Sequence, residues 1–213
     1  MYSFFKRLLD IVLSLTALIV LAPLLLVLAL LVKLDSPGPA LFKQKRVGRN
    51  EKLFDIYKFR SMYTSAPRDV ATSELQNAES HITRVGRVLR KTSLDELPQL
   101  FNILKGDMSV VGPRPERPEL TEQYKKEMPE FEFRLKVKAG LTGYAQVTGV
   151  YDTSPYDKLK MDLMYIENYS ARMDLQIILM TLKTMLFPGK TNAETEEGVL
   201  PCEHQTDKEE NDR

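Results

Sequence analysis

The longest pattern in the chain is an uncharged, apolar run from Ile11 to Val32. At about 22 residues it is long enough to cross a hydrocarbon core as a helix. Pro23 stands near its middle, removes a backbone donor and crowds the carbonyl of Ile19, so a bend is expected there. Lys33, Leu34, Asp35 and a Ser-Pro-Gly-Pro turn follow, which is not the small-residue cleavage site of a signal peptide. Two paths fit the run: a spanning helix, or a re-entrant one that dips in, bends at Pro23 and returns. Positive charge favours the cytoplasmic side. Lys6 and Arg7 precede the run, and Lys33, Lys43, Lys45, Arg46 and Arg49 follow it. The re-entrant path satisfies both ends; a spanning helix satisfies only the heavier, C-terminal one. On either path the body is expected in the cytoplasm.

Beyond residue 35 the periods change. ALFKQKRVG and KLFDIYKFRSM alternate apolar with basic positions and read as strands. Ala66 to Thr83 is polar and without period, a loop with some helix. Ile82 to Leu89 has helical spacing. Ser93-Leu94-Asp95-Glu96 matches a capping box, with Leu97, Leu100, Phe101 and Leu104 following at helical intervals and Gly106 placed to end the helix. Glu116 to Glu132 reads as one charged, solvated helix, and KAGLTGYAQVTG as extended. Ser154 to Tyr169 and Leu175 to Phe187 are helical. The latter is amphipathic and suits either a core face or a membrane surface. The tail from Pro188 is acidic and poor in large apolar residues, so disorder is expected. The pattern predicts an α+β, mainly helical chain divided into an anchor (1–35), a body (36–187) and a tail (188–213).

Charge sharpens this division. The 213 residues carry a net charge of +1, but residues 1–187 hold 27 Lys and Arg against 21 Asp and Glu. Residues 188–213 hold 3 against 8. A basic body suits anionic substrates or an anionic membrane surface. No nucleic-acid motif accompanies that charge, so no nucleic-acid partner is expected. The single cysteine, Cys202, rules out an intramolecular disulfide.

The chemistry concentrates in TSLDELPQLFNILKGDMSVVGPRPE, residues 92–116. Asp95 and Glu96 lie between Arg90 and Arg114. Carboxylates beside arginines at a helix start suit the binding of, and attack on, a metal-bound diphosphate. The plainer alternative is helix capping, with Glu96 as partner to Ser93. Prolines on both sides fix the backbone of Arg114, which suits aiming a bidentate fork at phosphate. Lys58 and Arg60 share one face of a strand and are phosphate-binding candidates or ordinary surface charge. Asp162 lies on a largely apolar helix face and needs a partner if buried. His81 and His204 have no assigned role, and without histidine–cysteine spacing any metal would be a hard cation on carboxylates and phosphate. A non-catalytic membrane adaptor and an anchored nucleotide-binding regulator remain the alternative readings.

At these residues the chain closely resembles the monotopic phosphoglycosyl transferases, also called bacterial sugar transferases. FKQKRVGRNEKLFDIYKFRSM, RKTSLDELPQLFNILKGDMSVVGPRPE, and KAGLTGYAQVTG followed by KMDLMYIENYS carry the resemblance, together with the apolar segment and its central proline. They span roughly residues 3 to 187 in the family's order, and the chain looks like the minimal catalytic unit. The resemblance implies a re-entrant helix hairpin and transfer of a sugar-1-phosphate from a UDP-sugar to undecaprenyl phosphate at the inner leaflet. It implies Asp95 as nucleophile of an Asp95–Glu96 dyad, with Mg²⁺ as cofactor and Lys58, Arg90, Arg114 and Asp162 completing the polar site. Three positions depart from the usual pattern. Ala22 precedes Pro23 where many relatives have serine, Tyr144 replaces a frequent tryptophan, and Val150 replaces a frequent arginine.

Overall fold

The computed structural model describes residues 2–67, 78–149 and 153–186. Val150, Cys202, His204, the acidic tail and the middle of the 66–83 segment lie outside them. The described chain is mainly helical with two small sheets.

Helix α1 runs from Tyr2 to Asp35, 34 residues with Pro23 inside, so it begins well before the uncharged run. Lys6, Asp10 and Ser14 recur at helical spacing and are buried against the body. Lys6 ion-pairs with Asp174, which also accepts hydrogen bonds from Tyr2 Oη at 2.6 Å and Tyr165 Oη at 2.8 Å. Asp10 accepts from Ser109 Oγ at 3.0 Å and the Val110 N–H at 2.9 Å. Further along, Leu18 packs with Phe54, Ile103 and Met108, and Leu28 and Val32 pack with Phe59 and Leu89. The body therefore lies along one face of the whole helix. On the other face Ile19, Val20, Leu26 and Leu30 are exposed. Among the described residues this is the one helix long and apolar enough to cross a membrane.

Strands β1 (Leu41–Val47) and β2 (Leu53–Phe59) pair antiparallel, with Phe42 opposite Lys58 and Arg46 opposite Phe54. Both strands fall where alternation placed them. Thr83 caps α2 (Arg84–Lys91) by accepting from the Gly86 N–H at 2.9 Å. Helix α3 (Gln99–Lys105) ends at Gly106, whose φ of 100° is the left-handed conformation that glycine adopts without strain.

Three expectations need correction. Ser93 makes no capping hydrogen bond: its own φ is 55°, it precedes a single 3₁₀ turn (Leu94–Glu96), and the helix proper starts after Pro98. The charged stretch is two helices, α4 (Pro118–Glu127) and α5 (Phe131–Arg134), because Pro129 lacks the donor a continuous helix needs there. KAGLTGYAQVTG is half strand and half helix: β4 (Ala139–Thr142) pairs parallel with β3 (Met108–Val111), and α6 (Tyr144–Thr148) follows. The β3–β4 pair brings two glycines into contact. A Cβ on Gly140 would stand 2.1 Å from the Gly112 nitrogen, so only hydrogen fits.

Helices α7 (Pro155–Glu167) and α8 (Ala171–Leu186) complete the body. Ile177 of α8 is fully buried beside Val111 and Tyr165, whereas Leu175, Leu179, Leu182 and Met185 form an exposed apolar stripe.

Candidate active site

The left-handed turn at Ser93 carries the chain out of α2 and places Asp95 and Glu96 against the end of β2. On the far side, the Gly-Pro-Arg-Pro segment is held from both flanks. The Gly112 N–H donates to Thr142 O at 2.9 Å, the Gly140 N–H to Pro113 O at 2.9 Å, and the Val47 N–H to Glu116 O at 2.9 Å. Arg114 is thus presented by a backbone fixed by prolines, by β4 and by the end of β1.

Glu96 receives two cations. Arg114 forks onto it, Nη2 to Oε1 at 2.5 Å and Nη1 to Oε2 at 3.2 Å, and Lys58 Nζ reaches Oε1 at 2.7 Å. Burial alone would raise the Glu96 pKa, but the Arg114 hydrogen bonds and charge, with Lys58, pull it down to about 2. Asp95 is different. It is buried and has no ion pair among the described residues. Burial pushes its carboxyl above the usual carboxylate range, opposed by the charges of Lys58 and Arg90 and assisted by Glu96. The dyad therefore contains one carboxylate engaged by cations and one that retains its lone pairs.

Asp95, Glu96, Lys58, Arg90 and Arg114 all line one cavity of about 700 Å³, within the range of small-molecule sites. Arg90 is exposed at the end of α2 and contributes charge to the rim. Arg60 lines the same cavity but is structurally committed: it donates to Ser36 O at 2.7 Å, to Val32 O at 3.2 Å and to Pro37 O, fastening the end of α1. Asp162 is elsewhere. It is 2% exposed on α7, bound to Arg134 Nε at 2.6 Å, and not in the cavity wall. Burial raises its carboxyl while Arg134 pulls the other way. Arg134 lies 3.7 Å from Glu116, two residues beyond Arg114.

Three charged cavity residues escaped the sequence reading. Lys43 and Arg46 counted only as flanking charge, and Arg117 was not singled out, yet all three line the cavity wall. For Arg46, strand period held the clue, since Phe42, Gln44 and Arg46 share a face with the partners Lys58, Ile56 and Phe54.

Among the described residues no group of three or more His, Cys, Asp or Glu side chains could hold a metal. With Glu96 engaged by cations, the donor set fits a hard divalent ion only if a diphosphate supplies most of its oxygens. That is the usual magnesium arrangement in phosphoryl-transfer sites.

Comparison with known proteins points the same way. Residues 1–188 match the family model described as bacterial sugar transferase. The chain is 43% identical to a UDP-N-acetylgalactosamine-undecaprenyl-phosphate N-acetylgalactosaminephosphotransferase of Aeromonas hydrophila, covering 87% of this chain and 44% of the relative. It is 45% identical to exopolysaccharide production protein PSS of Rhizobium leguminosarum, covering 87% and 96%. It is 43% identical to a UDP-glucose:undecaprenyl-phosphate glucose-1-phosphate transferase of Escherichia coli, covering 83% and 39%. The chain thus spans less than half of two of these relatives and nearly all of the third.

Proposed function

Because the chain belongs to the bacterial sugar transferase family, we propose that it moves a sugar-1-phosphate from a UDP-sugar to undecaprenyl phosphate and releases UMP. The observation that carries this reading is the asymmetry of the dyad. Glu96 is neutralised by Arg114 and Lys58, while Asp95 lies beside it in the same cavity wall without a cation of its own. A nucleophile needs available lone pairs and a field that tolerates an incoming diphosphate; this arrangement supplies both.

In the first half-reaction an Asp95 carboxylate oxygen bonds to the β-phosphorus, the bond to the oxygen bridging the two phosphorus atoms breaks, and UMP departs. In the second, a phosphate oxygen of undecaprenyl phosphate bonds to that phosphorus and the acyl-phosphate bond from it to the Asp95 oxygen breaks. The product is undecaprenyl diphosphate-sugar, and Asp95 returns as carboxylate. Arg114, Arg90 and Lys58 offset the donor's charge, without which an anionic nucleophile would be repelled. Magnesium, held by Asp95, Glu96 and the donor's phosphates, would supply further charge neutralisation. Asp162 acts through Arg134, holding the segment that presents Arg114.

We read α1 as re-entrant and the body as lying on the cytoplasmic face of the membrane. Supporting this, both ends of α1 are tied to the body, through Lys6 to Asp174 and through Val32 to Phe59 and Leu89. A spanning helix needs about 20 residues free of a polar body, and α1 has no such stretch. The exposed stripe of α8 supplies a second apolar surface suited to the interface. Tags before Met1 and after Arg213 should both resist a membrane-impermeant reagent in intact cells; labelling of the N-terminus from outside would end the re-entrant reading.

The activity is tested by UMP release from a panel of UDP-sugars with undecaprenyl phosphate and magnesium. One sugar should give turnover dependent on the lipid, whereas a non-catalytic adaptor releases no UMP with any of them. The panel matters because two relatives of equal identity are named for different sugars.

A further inference from the structure

A second basic cluster stands away from the cavity, where the start of α1 meets the body. Arg7 of α1 closes the end of α3, donating Nη1 to Ile103 O at 2.6 Å and Nη2 to Leu104 O at 2.8 Å. Those bonds fix its plane but bring it no anion. Lys138, at the entry to β4, reaches the same place. Arg7 Nη2 and Lys138 Nζ lie 3.3 and 3.7 Å from the point where a Cβ on Gly106 would stand. The Asn50 N–H donates to Leu135 O at 2.8 Å and lays the turn Arg49–Glu51 beside the segment that leads into Lys138. The exposed Arg49 adds a third charge, felt by both Lys138 and Tyr169.

The nearby acids are engaged elsewhere. Asp10 accepts from Ser109 and Val110, Asp107 pairs with Lys105 at 3.1 Å, and Glu51 pairs with Lys125 at 2.6 Å. Among the described residues no carboxylate lies within ion-pair distance of Arg7, Arg49 or Lys138. Burial lowers the Lys138 pKa and the charges of Arg7 and Arg49 add to this, opposed by Asp10 and Asp107. Two cations are thus held together partly out of water, an arrangement that an incoming anion would relieve.

The place of the cluster names the source of that anion. Phe4, Phe5, Leu8 and Leu9 flank Arg7 on α1 and are exposed. The Lys6–Asp174 pair brings the start of α8, with its exposed Leu175, to the same end of the helix. A phosphate that belongs to the membrane is already present at the depth where an apolar helix gives way to basic residues. A zwitterionic headgroup brings an ammonium that three cations repel, so an anionic headgroup fits better.

Resting on the membrane reading of α1 above, we propose that Arg7, Arg49 and Lys138 form a binding site for the phosphate of an anionic phospholipid. None of the three lines the substrate cavity, so the bound lipid holds the start of α1 at headgroup height and takes no part in the transfer.

The chain has no tryptophan, so Leu8→Trp supplies a single fluorescent reporter one position from Arg7. The full chain carrying it is reconstituted in phosphatidylcholine vesicles. These contain, at equal mole fraction, either phosphatidylglycerol or phosphatidylcholine brominated on its acyl chains. Brominated phosphatidylglycerol should quench more strongly, with a relative association constant of at least about fivefold, the worth of one cation near an anionic surface. Lys138→Gln and Arg49→Gln should each lower that preference, and the two together should bring it to parity, while Lys138→Arg retains it. Arg49 is exposed, which keeps the test decisive if Lys138→Gln does not fold. Lys33→Gln removes an exposed cation at the other end of α1 and should leave the preference unchanged. Equal quenching by the two lipids without these changes would overturn the proposal. So would a loss in Lys33→Gln as large as in Lys138→Gln, which is the mark of diffuse surface charge. A preference abolished by inorganic phosphate, but not by sodium chloride of the same ionic strength, would overturn it in favour of a free anion. A reporter quenched by neither lipid would end the membrane reading of α1 itself. Failure of the transferase reading shows separately, as protein that keeps the lipid preference and releases no UMP.

Discussion

Asp95 and Asp162 are both buried aspartates near an arginine, and the family resemblance assigns both to the polar site. The fold treats them differently. Asp162 is joined to Arg134 at 2.6 Å and sealed between α5 and α7, with no face on the cavity. Asp95 is in the cavity wall, and its neighbour Glu96 takes the cations that would otherwise pair with it. A buried carboxylate with its own partner is committed to structure. One whose partners are diverted to an adjacent carboxylate keeps a reactive pair of oxygens at a cost in stability.

That contrast can be broken most sharply at Asp95. Asp95→Asn keeps the shape but removes the carboxylate proposed to attack the donor, and turnover should fall at least about a thousandfold. The same change should raise the melting temperature at pH 7 by about 2–4 °C, the response of a chain this size to roughly 1 kcal/mol, because it removes a charge that burial disfavours. A variant that is inactive and less stable would place Asp95 with the structural carboxylates.

Asp162→Asn should behave in the opposite way. Leaving buried Arg134 with only Glu116, 3.7 Å away, should cost up to about 3–5 kcal/mol, read as a lower denaturant midpoint, while the folded fraction keeps measurable turnover. The double change Asp162→Leu with Arg134→Met should recover much of that loss. Stable but inactive Asp162→Asn would instead return this residue to the chemistry.

Arg114→Lys keeps the charge and loses the fork onto Glu96. The expected loss is roughly 2 kcal/mol of transition-state stabilisation, about 30-fold in kcat/KM for the donor. A silent change would make Arg114 a turn residue.

The smallest effect is in pH. Glu96 has its folded pKa lowered from 4.5 to about 2, so its contribution to stability is complete above pH 4.5 and disappears as pH falls towards 2. Asp95, with its pKa raised, works against stability above its own titration and relieves that penalty as it protonates. The stability gap between wild type and Glu96→Gln, measured by denaturant titration, should therefore narrow between pH 4.5 and 2.5. A constant gap would mean that Arg114 and Lys58 do not act on Glu96 through charge.

Much of this was legible in the residues. Alternation located both strands of the hairpin, and Arg90, Arg114, Lys58 and the dyad were singled out before any of them was known to share a cavity. What local pattern could not decide was tertiary. Ser93, Asp95 and Glu96 spell a capping box, but the left-handed backbone at Ser93 turns Glu96 towards Arg114, and no local rule foresees a partner 18 residues away. Asp162 is paired with Arg134 of α5 while Asp95 stays in the cavity wall, a difference that depends on elements far along the chain from each. Arg46 looked like membrane-flanking charge because its role depends on a segment about 70 residues on, held against β1 by the Val47–Glu116 bond. The β3–β4 pairing was equally invisible, since parallel strands so short leave no distinctive period.

The central claim is that Asp95 carries the phospho-sugar. Purified protein mixed with its UDP-sugar and magnesium, without lipid, should gain the mass of one phospho-sugar on the peptide containing Asp95, and undecaprenyl phosphate should then remove it. No adduct on a protein that turns over, or an adduct that persists in Asp95→Asn, would contradict the account.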